Sequence, residues 1–347
     1  MAVEQATFTF YRISKAGFYR TGSADPAFSN TSEMLTELKN WAAPKTLKQT
    51  KTFEANEDRY PSYLVDTKNN ADDWVLLLWN EVPSNGQRMP SLSENARFGE
   101  DPEVIMNPIQ DGSIPGYATY FWFMPNSGLM ATVRLHNKLT AQSSLQQYLQ
   151  CFLKQSSKHV RSELVELDDG SHEVKITGYM LNPDDDNEDR KHYYPRFSTH
   201  LVKNPGKHDE IRQRANNVKK IERVLELDLA QPEDLGLWQK MLDWVSLGQQ
   251  EGAGISTKVR YTISPDVNLK DINDMIDDWD ADESEVNDYG FVFEGDPNKI
   301  FWLSNSLART QFELDLIREN DEFVQSQSLL DELIRKKNLI IGGAGLL

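Results

Sequence analysis

Cys151 is the only cysteine in this sequence, so an intramolecular disulfide framework is excluded, and with it the small secreted scaffolds that depend on one. Long apolar runs are equally scarce. Nothing approaches the ~20 apolar residues needed to span a bilayer, and the opening MAVEQATFTFYRI has neither the charged head nor the apolar stretch of a secretory leader. Together these shortages predict a reduced, cytoplasmic setting in which the sequon Asn30-Thr31-Ser32 stays idle. Positive charge is short too: 37 Lys and Arg stand against 54 Asp and Glu, a net charge of −17. Taken alone, that balance opposes polyanion binding.

Catalytic signatures are missing as well. The sequence has no GxSxG elbow, no HExxH and no CxxC pair, and Gly342-Gly343-Ala344-Gly345 lacks the lysine of a phosphate loop. The six histidines, His136, His159, His172, His192, His200 and His208, show no metal-ligand spacing. The acidic loop NPDDDNED at 182–189 alternates carboxylates as a calcium loop does, without the sixth-place glycine or the closing glutamate. Cys151 lies beside an apolar stripe and reads as a buried thiol. No catalytic residue, metal or cofactor is assigned, and the chain reads as a binder more than an enzyme. One enzymatic alternative stays open: Asp184, Asp186 and Lys191 as the carboxylates and lysine of a metal-dependent nuclease.

What is present gives an architecture. The stretch IPGYATYFWFMPNSGLMATVRL at 114–135 predicts two core strands joined at Pro125-Asn126-Ser127-Gly128, and its aromatic first half suits a strand covered on both faces. Leu145, Tyr148, Leu149, Phe152 and Leu153 then form one helical stripe over 141–155. Upstream, 8–13 and 17–19 read as strands on either side of a turn at Ser14-Lys15-Ala16. Met34, Leu35, Leu38 and Trp41 mark a helix stopped by Pro44, and 60–65 and 74–82 read as buried strands before a hairpin at Asn85-Gly86. Downstream, hairpins are expected around Asp168-Asp169-Gly170 and Gly295-Asp296-Pro297, helices at 209–227, 235–247 and 269–276, and a long helix at 307–337. At 347 residues, a prior of roughly 150 residues per domain predicts two: an N-terminal lobe, 1–157, and a second, 158–347, holding a basic helical segment and the long C-terminal helix. The fold class is α+β, with two lobes of mixed or antiparallel sheet flanked by helices.

Charge reverses locally. Between positions 190 and 223 lie ten cations, Arg190, Lys191, Arg196, Lys203, Lys207, Arg212, Arg214, Lys219, Lys220 and Arg223, against three anions, Asp209, Glu210 and Glu222. Such a cluster can neutralise phosphates and release counterions, which gives sequence-independent, salt-sensitive contact with duplex DNA. The competing expectation is that these cations pair with the chain's own acids. A nine-acid run follows at 271–288 without one cation. Clustered carboxylates could bind Mg²⁺, but on a helix and the loop after it they suit a solvated face. The balance of −24 outside the basic segment suits an acidic module that engages a basic partner or mimics DNA.

Several pieces in order resemble the RexA family, cytoplasmic sensors of the phage lambda Rex exclusion system. They are FYRISKAGFYR, the paired IPGYATYFWF and GLMATVRL, the helix AQSSLQQYLQCFL, the strand HEVKITGY and a late VRYTISPDVNLKDINDMI. The resemblance implies a dimer that binds DNA without sequence preference, senses phage infection and acts through a membrane partner. Joined to the basic segment, it gives the expectation of a prophage-type antiviral homodimer that binds double-stranded DNA and signals to a membrane-protein or other defence-system partner. It transfers no catalytic or binding residues. A longer C-terminal helix and a more acidic balance set this chain apart.

Overall fold

The computed structural model describes residues 2–55, 59–70, 72–82, 91–93, 95, 97, 99, 104–105, 112–135, 141–166, 172–182, 193–203, 206–228, 256–263, 267–281, 287–296 and 299–346. They fall into two units, one of residues 1–201 with 309–347 and one of residues 202–308. The architecture is α+β, and every strand pair among the described residues is antiparallel.

The first unit is built on β1, Ala2–Arg20. Alternation explains it: Ala6, Phe8 and Phe10 are buried on one face, Thr7, Thr9 and Tyr11 lie on the other. The turn expected at Ser14-Lys15-Ala16 is instead a bulge inside this single strand, where the register with the neighbouring strand at Tyr193–Leu201 shifts between Ile13 and Lys15. On one edge, β7 (Leu129–Arg134) pairs with Thr7 to Arg12. On the opposite edge two strands lie end to end: β15 (Arg309–Leu316) beside Ala2 to Thr9, and β10 (Tyr193–Leu201) beside Tyr11 to Arg20. β6 (Ser113–Met124), β3 (Asp73–Glu81) and β2 (Ser62–Asn70) continue beyond β7 in that order, with the short β4 (Ser91–Ser93) and β5 (Val104–Ile105) at the margin of β6.

Two helices cover one face. Helix α1 (Thr31–Ala42) starts where the Asn30 side chain accepts the Glu33 amide, and buries Met34, Leu35 and Leu38. Helix α2 (Gln142–Cys151) ends in a π turn and buries the whole expected stripe, Leu145, Tyr148, Leu149, Phe152 and Leu153, against Tyr11, Phe121, Phe123 and Met130. The last helix, α5 (Ser326–Gly343), serves the opposite face. There Lys337 Nζ lies 2.8 Å from Asp73 Oδ2, and the Trp122 indole donates to Asp73 Oδ1 at 3.0 Å. A ribbon of β8 (Val160–Glu166) and β9 (His172–Tyr179) pairs, among the described residues, only with itself.

The second unit holds a four-stranded sheet, ordered β12 (Ser256–Ile263), β11 (Val218–Asp228), β13 (Asp288–Phe293) and β14 (Phe301–Trp302). Helices α3 (Gly206–Gln213) and α4 (Leu269–Ala281) contribute buried Ile211, Ile272, Ile276 and Trp279. Its two ends are tied by a bridge between Lys203 and Leu307 and by the Ala308 amide donating to the Val202 carbonyl at 2.8 Å.

Three expectations are corrected. The boundary at 157/158 gives way to an inserted second unit, because β10 and β15 both need the open edge of β1. The helix expected at 209–227 ends at Gln213, and 218–228 is a strand. Ile221 and Val224 are both buried but three apart, so they face opposite sides of a sheet while imitating a helical stripe. The long helix at 307–337 is likewise a strand and a later helix. In RTQFELDL, buried Leu314 and Leu316 alternate with Glu313 and Asp315, and this strand supplies the ladder partner for the first half of β1. The expected helix 235–247, the hairpin turn at Asn85-Gly86 and the loop 183–189 lie outside the described residues.

Candidate nucleic-acid interface

The seven cations whose side chains are described have different environments. Arg190 and Lys191 lie outside the described residues, as does the side chain of Lys207 on α3. Four others are taken up by the second unit itself. Lys203 Nζ donates to the carbonyls of Trp279 and Asp280 at 2.7 and 2.9 Å and sits 4.2 Å from the Trp279 ring centre. Arg212 bonds Asp209 and Asn273 at 3.2 and 3.1 Å. Arg214 meets Asp296 at 2.6 Å and covers the Phe293 ring at 4.3 Å. Arg223 covers the Tyr289 ring at 3.6 Å. The three remaining side chains are exposed: Lys219 and Lys220 on β11, and Arg196 on β10 in the first unit.

Arg196 joins a basic cleft that no stretch of sequence announces. After the bulge in β1, the register sets Lys15, Gly17 and Tyr19 directly across from Ser198, Arg196 and Tyr194, so these six positions share one face of the β1–β10 ladder. The chain then turns at Arg20, where the Ser23 amide donates to the Arg20 carbonyl at 3.0 Å, and Thr21 to Ala24 supply a wall of small residues. The result is an open depression of about 550 Å³ lined by Lys15, Tyr19, Arg20, Tyr194, Arg196 and that turn. Tyr19 is its buried floor. Lys15 Nζ lies 5.3 Å from the Tyr19 ring centre, and the Tyr19 hydroxyl accepts the Ala16 amide at 2.9 Å. Burial pushes the Tyr19 phenol up, the Ala16 amide pulls it back, and the charge of Asp25 adds to the rise. Arg20 is steadied by Tyr193, whose hydroxyl accepts from Nη2 at 3.2 Å. Tyr194 stands 47% exposed.

The described residues bring no metal site together. No group of three or more metal-ligating side chains occurs among them, and Asp184, Asp186 and Lys191 of the nuclease alternative lie outside them. Ser306, His208 and Asp280 are arranged in the order of a hydrolytic triad, with His208 Nε2 2.8 Å from Ser306 Oγ and Nδ1 4.0 Å from Asp280 Oδ2. The chemistry does not follow: Ser306 is 1% exposed and its hydroxyl donates to the Leu303 carbonyl at 2.7 Å, so the oxygen meets no substrate. Cys151 is buried, and burial pushes its thiol up, away from a reactive thiolate. No helix among the described residues is long and apolar enough to cross a membrane.

Compared with family models, with curated proteins and with solved structures, the chain matches none of them.

Proposed function

We propose that this chain is a cytoplasmic phage-exclusion component that binds double-stranded DNA without sequence preference. Lys15 and Arg196 at the β1–β10 edge form one contact to the phosphate backbone, and exposed Lys219 and Lys220 on β11 form another. The observation that carries this is the basic cleft, where Lys15 and Arg196 come together from two paired strands in a chain of net charge −17. Cations held on a rigid ladder neutralise phosphates with little added ordering cost. The resemblance to the RexA family supports the antiviral setting, a homodimer and a membrane-protein or other defence partner.

Labelled duplex titrated at two salt concentrations tests it. Affinity should fall with salt by a log–log slope of about −0.9 per phosphate neutralised. Replacing Lys15 and Arg196 together by glutamate should flatten that slope, and the pair Lys219→Glu and Lys220→Glu should do so separately. Absence of binding at low salt, or indifference to all four changes, overturns it. A second reading is favoured by α4, whose Asp274, Asp277 and Asp278 are exposed while Ile272, Ile276 and Trp279 face inward. Such an acidic strip suits a basic protein partner, which a pull-down from infected cells would recover.

A further inference from the structure

We infer that the β1–β10 cleft receives one unstacked nucleotide of a single DNA strand, with the base against Tyr194 and the flanking phosphates on Lys15 and Arg196. This rests on the proposal that the chain binds DNA, and it assigns the cleft a part that duplex contact does not require. Phosphates alone are satisfied by cations on any open face. An aromatic ring left 47% exposed beside Arg196, inside a concavity, offers what a phosphate does not use: a face for a base.

Size points the same way. About 550 Å³ is in the range of ~300–1,000 Å³ that small-molecule sites occupy, so it admits a nucleotide, while a duplex can only rest on its rim. The turn leaves room for it. Thr21, Gly22, Ser23 and Ala24 are all small, and a Cβ added at Gly22 would meet nothing within 4 Å. The walls are also fixed in advance. Between Tyr194 and Arg196, the Pro195 carbonyl accepts from Gln150 Nε2 at 3.0 Å, and the Phe197 amide donates to Gln150 Oε1 at 2.8 Å. Arg20 is held by Tyr193. A ring and two cations presented by a pinned ladder need little reordering when a strand arrives.

Fluorescence anisotropy with a labelled oligo(dT) strand and with a blunt duplex, on the full chain, tests this. Tyr194→Ala should weaken oligo(dT) binding about tenfold and leave the blunt duplex unchanged, and Tyr194→Phe, which keeps the ring, should bind the strand like the parent. Thermal melts of both variants show whether the sheet has survived. If the duplex binds and oligo(dT) does not, or if Tyr194→Ala binds the strand as the parent does, the cleft assignment is wrong while duplex binding stands. If neither nucleic acid binds, both fall.

Discussion

Gln150 on α2 holds Phe197 on β10 by the backbone: its Oε1 accepts the Phe197 amide at 2.8 Å, while its Nε2 donates to the neighbouring Pro195 carbonyl at 3.0 Å. One helical turn earlier, Gln146 Oε1 accepts the Thr199 amide at 3.0 Å, and Gln142 Nε2 bonds the Thr199 hydroxyl at 2.7 Å. Glutamines four apart on one helix face thus satisfy the outer edge of β10, which would otherwise offer unpaired amides to another chain. Gln150→Leu removes two hydrogen bonds from a partly buried edge, and the expected loss is about 1–3 kcal/mol in urea unfolding. Because Tyr194 and Arg196 flank the released Pro195, oligo(dT) affinity should drop in the same variant.

The bulk of the first sheet is legible in the sequence for a simple reason: its strands are apolar or aromatic enough to have one reading. Phe121, Trp122 and Phe123 are all buried, as a two-faced core strand requires, and the α2 stripe falls on the core. Legibility fails where a strand is amphipathic and charged. Along 218–228 the lysines and glutamates take helical or strand conformations equally well, and the strand wins because β12 and β13 pair with both its edges. The cleft is illegible for another reason, since Lys15 and Arg196 are brought together by strand pairing across most of the first unit's chain. KAGFYR and YYPRF each mix aromatics with a cation, and only the register shows that the two segments face each other.

Charge counting along the chain likewise says nothing of what each cation touches. Arg223 lies over Tyr289 and Arg214 over Phe293, so both belong to the second unit's fold. Arg223→Ala should destabilise that unit by about 1 kcal/mol, the scale of a partly desolvated cation–aromatic contact, and leave the salt slope of DNA binding unchanged. Lys219→Glu with Lys220→Glu should do the reverse. Parallel melts and anisotropy titrations on the two variants separate cations that build the fold from cations that meet a ligand.

His208 makes the second unit sensitive to pH. The Ser306 hydroxyl donates to the Leu303 carbonyl, so it accepts from His208 Nε2, and Nδ1 is left buried without a hydrogen-bond partner. Burial lowers the imidazole pKa below its ordinary 6.5. Asp280 opposes that, Arg212 and Lys203 reinforce it, and Asp209 opposes it weakly. The unfolded chain therefore takes up the proton first as pH falls. Stability is complete above 6.5 and declines below it until the folded pKa is reached, with a slope of at most about 1.4 kcal/mol per pH unit for one proton. Urea midpoints between pH 7.5 and 5.5 should fall in the parent, and His208→Gln should remove this component. An unchanged pH profile in that variant would show that other groups carry the slope.

Gly17 is the position at which the cleft and the helical layer meet in a single backbone conformation. Its φ of +122° belongs to a region that residues with a side chain rarely adopt, and a Cβ there would lie 2.5 Å from the Ser29 carbonyl oxygen and 2.9 Å from that of Phe28. Those carbonyls cannot retreat freely. The Phe28 oxygen accepts the Phe18 amide at 3.1 Å, and the Ala27 amide donates to the Phe18 carbonyl at 2.7 Å. Gly17→Ala must therefore strain the strand or push 27–29 away from it, separating the Phe18 and Phe28 rings, whose centres are 4.8 Å apart. Gly22→Ala is the matched control, with φ of +79° and open space around the added carbon. It should cost about 1 kcal/mol from backbone strain, whereas Gly17→Ala should cost about 3 kcal/mol, in the upper part of the usual range for one substitution. Urea unfolding of both measures the difference, which combines the collision at Gly17 with its harsher backbone conformation. Equal losses would mean that 27–29 moves aside freely and does not brace the cleft.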